Sequence, residues 1–144
     1  NGEEKEIKKK DIDFYYRSTS LPKNYIIIEA TLKGYLTKKS LIEEKQSNFI
    51  LKKKIAQPSR VKTGGSTFKN HTNKKAWELI KQSGCDKLKI GEAKISDKHC
   101  NFLVNDGNAK ASDMEKLISK IREQVKSKTG INLDLEIKIL GDEI

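Results

Sequence analysis

Nine consecutive residues, Lys62-Thr63-Gly64-Gly65-Ser66-Thr67-Phe68-Lys69-Asn70, combine two glycines, hydroxyls, cations and a carboxamide. No other stretch of the 144-residue chain concentrates chemistry in this way. Adjacent glycines allow positive φ and let a guest approach the backbone, so Ser66 and the amides around it can be aimed at a ligand. A hairpin turn with solvated polar side chains has the same composition, and both readings stay open at this point. A Walker-type phosphate loop is excluded, because no Gly-Lys-Ser/Thr follows the glycines. Three smaller groups also carry potential. Tyr16-Arg17 sets an aromatic ring beside a guanidinium, which suits an anion site or a packed surface pair. Lys52-Lys53-Lys54 suits either a helix C-terminus or the phosphates of a ligand. Glu136 and Lys138 are two residues apart, hence on one face of a strand, where they are either solvated or form one wall of a site.

These groups need elements to hold them. Residues 25–35 alternate as a half-buried strand, with Ile26, Ile28, Ala30 and Leu32 on one face. A helix is expected from about residue 40 to Gln57-Pro58, opened by a Ser40/Glu43 capping box and carrying Ile42, Phe49 and Ile50 as an apolar stripe. Residues 73–83 read as a short helix stopped by Gly84, with Ala76, Trp77 and Ile80 turned to the core. Strand pieces follow around Leu88 to Ile95 and at 102–104, closed by the turn formers Asn105-Asp106-Gly107-Asn108. Residues 112–128 form the clearest helix, with Met114, Leu117, Ile118, Ile121 and Val125 at helical spacing, a Ser112/Glu115 box and Gly130 as terminator. A last strand over 133–140 puts Leu133, Leu135, Ile137 and Ile139 on one face. Residues 1–12 read as an exposed edge strand or a tail. Helices interleaved with short strands imply a small α+β domain from about residue 46 onward, with the strand at 25–35 belonging to an earlier unit.

Composition narrows the partners. A net charge of +10 points toward anions, yet arginine occurs only at Arg17, Arg60 and Arg122, and the lysines are spread along the whole chain. Aromatics make up 6% and do not alternate with the lysines as a base-stacking platform requires. An anionic small ligand is therefore the first reading, and a basic, non-enzymatic nucleotide or nucleic-acid binding module is the alternative. Cys85 and Cys100 make neither a disulfide framework nor a zinc pattern, which favours a reducing, cytoplasmic setting and small core or loop roles. No run is long enough for a membrane span. A first residue of Asn rather than Met suggests a piece of a longer protein.

A resemblance then emerges from motif order. Tyr16-Arg17-x-Ser, Gln57-Pro58, Gly65-Ser66-Thr67-Phe68-Lys69-Asn70, Ala76-Trp77-Glu78-Leu79-Ile80, Ser96-Asp97-Lys98-His99-Cys100-Asn101-Phe102 and Glu136-Ile137-Lys138-Ile139-Leu140-Gly141 together resemble UDP-N-acetylenolpyruvoylglucosamine reductase. The likeness covers residues 13–141 and corresponds to the C-terminal half of that family. It implies that residues 1–45 are the remnant of a FAD-binding subdomain and 46–144 the substrate-binding domain, built of short antiparallel strands packed with helices. It also implies a bacterial, cytoplasmic enzyme acting on UDP-N-acetylglucosamine enolpyruvate, in which NADPH reduces FAD and the flavin reduces the enolpyruvyl double bond. FAD would be bound mainly by the N-terminal half, so this chain alone is expected to be inactive, with neither nucleic acid nor membrane as partner.

Carried over by position, the family's active-site arginine falls on Arg17, its proton-donor serine on Ser66 and its C-terminal glutamate on Glu136. Lys69 and Asn70 match positions near the substrate, Lys54 a basic position facing the UDP phosphates, and Tyr16 and Lys138 further substrate contacts. Ser66 would protonate the enolate left by hydride addition, a base strong enough to take a proton from a hydroxyl held within hydrogen-bond reach. Arg17 and a protonated Glu136 would stabilise the developing charge. Two departures stand out. His71 occupies the place of a common Pro, and Lys138 stands where the family often has Arg, keeping the charge and losing the bidentate fork.

Overall fold

The computed structural model describes residues 2–141, which divide into one unit ending at Thr37 and another beginning at Lys38. In the first unit, a 3-10 turn at Lys9–Asp11 precedes a hairpin of two short strands, β1 (Phe14–Tyr15) and β2 (Ser18–Thr19). Phe14 pairs with Thr19 and Tyr15 with Ser18, leaving Tyr16 and Arg17 as a two-residue tip. The edge strand considered for residues 1–12 is not formed. Residues 25–35 also differ from expectation: they form no strand, and Ile26, Ile28 and Leu32 are 86%, 72% and 89% exposed. Alternation reports a preference for an extended, half-buried chain, but a strand also needs a neighbour for its N–H and C=O groups. Among the described residues nothing pairs with this segment.

The second unit opens with α1 (Lys39–Ala56), a helix with no buried residue. The expected Ser40/Glu43 box is absent. Lys38 is the N-cap without a side-chain cap, and Glu43 instead meets Lys39 across one turn at 3.6 Å. A four-stranded antiparallel sheet follows, in the order β3 (Lys62–Ser66), β6 (Phe102–Asn105), β5 (Ala93–Ile95), β4 (Lys89–Ile90). Two helices, α2 (Ala76–Gln82) and α3 (Ala111–Thr129), pack with it. The architecture is α+β with short antiparallel strands, as the sequence reading holds.

The helical spacing on α3 is borne out. Leu117, Ile118, Ile121 and Val125 are buried, Met114 packs at the edge of the core, and Gly130 ends the helix at φ +73°. The start differs by two residues: the Asp113 carboxylate accepts the Lys110 N–H at 3.0 Å, so Lys110 is the N-cap rather than Ser112. Facing α3 are Leu79 and Ile80 of α2, Ala93 and Ile95 of β5, Leu103 of β6, and Phe68 and Leu133 from the flanking segments. Each large apolar side chain buried here contributes about 1.5–3 kcal/mol. The turn expected at 105–108 is present, with Asn105 Oδ1 accepting the Gly107 and Ala109 N–H groups, each at 3.0 Å.

Two further expectations are corrected. Trp77 is half-buried outside the central cluster, its ring edge-on to His99 at 6.5 Å. Residues 133–140 are not a strand. A single bridge joins Leu135 to Phe68, the chain beyond it makes no further pairing among the described residues, and Ile139 is 45% exposed.

Candidate active site around Ser66 and Glu136

The glycine stretch is neither a turn nor a loop but the edge strand β3, ending at Ser66. Its ladder with β6 is interrupted: Lys62 and Thr63 face Asn105 and Val104, whereas Ser66 faces Phe102. One extra residue is thus accommodated on β3, and Gly65 takes it up at φ +87°, a conformation that a side chain disfavours. A Cβ at Gly65 would meet nothing within 4 Å, and one at Gly64 only Ile137 Cγ2 at 3.6 Å. The peptide next to Ser66 therefore presents an open ribbon.

Beyond Ser66 the chain changes partner. Lys69 donates its N–H to Asp134 O at 2.8 Å, and Glu136 donates its N–H to Thr67 O at 2.9 Å, which sets Phe68 opposite Leu135. This short antiparallel contact brings the residues after Ser66 against the segment that carries Glu136. On their other side lies Asn101. Its backbone carbonyl accepts the Thr67 N–H at 2.8 Å, its Oδ1 accepts the Phe68 N–H at 2.9 Å, and its Nδ2 donates to Phe68 O at 2.8 Å.

Of the residues singled out from sequence, Ser66, Lys69 and Glu136 lie on or next to these two adjoining segments. All three are half-buried, and Glu136 Oε2 is shielded from solvent. Lys138 follows on the same segment and is exposed. Asn70 is exposed, and its Oδ1 accepts the Ala76 N–H at 3.0 Å, fixing the start of α2. Lys54 lies exposed in the last turn of α1, where its carbonyl receives the Lys98 ammonium. Tyr16 and Arg17 belong to the first unit. Arg17 sits at φ +61°, with its guanidinium carbon 5.5 Å from the centroid of the Tyr16 ring. Neither the surface hollow lined by Ile90, Glu115 and Ser119 nor the one lined by Lys74, Gln82 and Lys128 includes any of these residues.

His99 and Asn101 form a loop cap, in which His99 Nδ1 accepts the Asn101 N–H at 3.2 Å. The reach of the buried Asn101 side chain to Phe68, 33 residues away, carried no local signal. The His99 ring also packs edge-on to Phe102 at 4.9 Å. Burial holds its pKa below the ordinary 6.5. Because the unfolded chain then binds a proton that the folded chain refuses, stability should decline as pH falls below about 6.5. Chemical denaturation between neutral and mildly acidic pH is expected to show this slope and His99→Gln to flatten it; equal slopes would sink the assignment. Burial likewise raises the thiol pKa of Cys85 and of Cys100, keeping both protonated. Cys85 lies in the core and Cys100 packs against it, as small apolar residues do.

Comparison with known proteins places this geometry in context. Residues 57–140 match the family model described as UDP-N-acetylenolpyruvoylglucosamine reductase, C-terminal domain. A reductase of that name from Wolbachia pipientis is 46% identical over 136 residues, covering 94% of this chain and 46% of the relative. One from Gluconobacter oxydans is 39% identical over 140 residues, covering 97% of this chain and 46% of its own length. The crystal structure of UDP-N-acetylenolpyruvylglucosamine reductase from Thermus caldophilus superposes with a TM-score of 0.74 at 32% identity, covering 90% of this chain and 46% of that one. The chain thus spans about half the length of the relatives it matches.

Proposed function

The chain belongs to the UDP-N-acetylenolpyruvoylglucosamine reductase family, and from that premise we propose that it forms the substrate-binding part of a flavin-dependent reductase. The reaction is conversion of UDP-N-acetylglucosamine enolpyruvate to UDP-N-acetylmuramate for peptidoglycan, in a bacterial cytoplasm. In this reading residues 1–45 close a flavin-binding subdomain and residues 46–144 hold the substrate. The observation that carries it is the antiparallel contact of residues 67–69 with 134–136, which lays the segment that follows Ser66 beside the segment that carries Glu136.

The residues present suit a flat ring system. Gly64 and Gly65 give the peptide beside Ser66 no side chains of its own, which suits the close approach of an isoalloxazine. FAD, reduced by NADPH, supplies the hydride when bound, and the part of the relatives that this chain does not span would hold most of it. This chain's residues do the rest. Arg17 grips the enolpyruvyl carboxylate, Ser66 delivers a proton to the carbon that becomes basic, and Glu136 completes the site beside the developing enolate. Lys54, Lys69 and Lys138 offset the diphosphate charge, while Tyr16 and Asn70 shape the approach.

Adding UDP-N-acetylmuramate to isotope-labelled chain is expected to shift the amide resonances of residues 64–70 and 134–138. Tight binding of RNA with a steep salt slope, and no response to the nucleotide sugar, would instead establish the basic-module alternative. The chain purified alone is expected to be colourless.

A further inference from the structure

Phe68 is 2% exposed, so its N–H and C=O cannot be left to water. Opposite Leu135 it occupies the kind of antiparallel pair in which the flanking residues, Thr67 and Lys69, make the ladder bonds. The peptide groups of Phe68 itself consequently face away from residues 134–136. On that side β6 begins only at Phe102, and its backbone offers no pair for Phe68. One carboxamide fills the gap. Asn101, 5% exposed, accepts from Phe68 N–H and donates to Phe68 O, and its own carbonyl takes the Thr67 N–H. His99 Nδ1 fixes the Asn101 backbone in turn.

We propose that Asn101 is a positioning residue for proton delivery: its three bonds to Thr67 and Phe68 fix the chain that follows β3 against residues 134–136, and so hold Ser66, the last residue of β3, in place. The proposal rests on the reading of Ser66 as the proton donor. An apolar or missing side chain at this position leaves two buried peptide groups unsatisfied and lets the 66–68 segment slide along 134–136. Displacement of a reacting group by about 1 Å is enough to lower a rate by about 100-fold.

The test uses the complete flavin-loaded reductase that contains this chain, with its two half-reactions followed separately. Asn101→Ala is expected to leave flavin reduction by NADPH at the wild-type rate and to slow substrate reduction by about 100-fold. In a Ser66→Ala background the same change is expected to alter substrate reduction by less than about twofold, since the group it positions is gone. Equal losses in both backgrounds, or a normal Asn101→Ala enzyme, would overturn the proposal while leaving Ser66 as donor. A Ser66→Ala enzyme that reduces substrate normally would overturn the donor reading and the proposal with it. Asn101→Asp guards against misfolding of the alanine variant. Its carboxyl, when neutral, can still donate to Phe68 O and accept from Phe68 N–H, so substrate reduction should recover relative to wild type as pH is lowered. A profile parallel to wild type would count against the assignment.

Discussion

In the complete reductase, Ser66→Ala is expected to reduce bound flavin with NADPH at a normal rate and to reduce substrate ~10²–10⁴-fold more slowly. The two halves of that expectation have separate causes. Flavin reduction needs no proton donor at the enolpyruvyl group, and Ser66 ends an edge strand whose glycine ribbon keeps its shape without the hydroxyl. Substrate reduction creates an enolate beside a carboxylate, and water reaching that carbon in place of the hydroxyl is neither oriented nor concentrated. Ser66 is half-buried, so the loss of one hydroxyl costs little stability and the two effects can be measured on a folded enzyme. Stopped-flow absorbance resolves them, flavin bleaching under NADPH and flavin recovery on adding substrate. Equal slowing of both would mean that Ser66 shapes the flavin site and does not deliver the proton.

The features that were legible from sequence are those whose cause is local. Helix α3 was visible because Leu117, Ile118, Ile121 and Val125 repeat at the helical period, and Gly130 supplies the left-handed stop that a terminator requires. Its start lies two residues earlier than expected because the carboxylate that reaches back to an N-cap is Asp113, bonded to Lys110 N–H, and not Glu115 to Ser112. Residues 25–35 and 133–140 failed for a shared reason. Alternation is a property of one segment, whereas a strand is a property of two: among the described residues nothing pairs with 25–35, and 133–140 pairs only at Leu135. The glycine pair was ambiguous because a bulge and a turn both need positive φ. Ser66 and Glu136 were assigned by motif resemblance, and their approach through Phe68 and Leu135 depends on a contact that no local pattern encodes. The role of Asn101 has no local signal either, for its side chain bonds Phe68 where β6 offers no strand partner.

Arg17→Gly is expected to lower kcat/KM for substrate reduction by about 10²–10³-fold, the scale of removing one preorganised charge-stabilising donor. The same change should leave the denaturation midpoint unchanged or raised. Arg17 lies at φ +61° in the two-residue tip between β1 and β2, a conformation costing a residue with a Cβ about 1–2 kcal/mol. Glycine removes that cost and adds about 0.5–1 kcal/mol of unfolded-chain entropy, so the two nearly offset. A hairpin tip selected only for folding would carry glycine or asparagine. Retaining a strained arginine, with Tyr16 stacked beside the guanidinium at 5.5 Å, makes sense where the fork itself is needed. Arg17→Lys separates charge from geometry: it keeps the cation and the strained backbone but loses the bidentate grip on a carboxylate, so most of the activity loss should persist. Full turnover in Arg17→Gly, or full rescue by lysine, would place the strain at this tip outside the reaction.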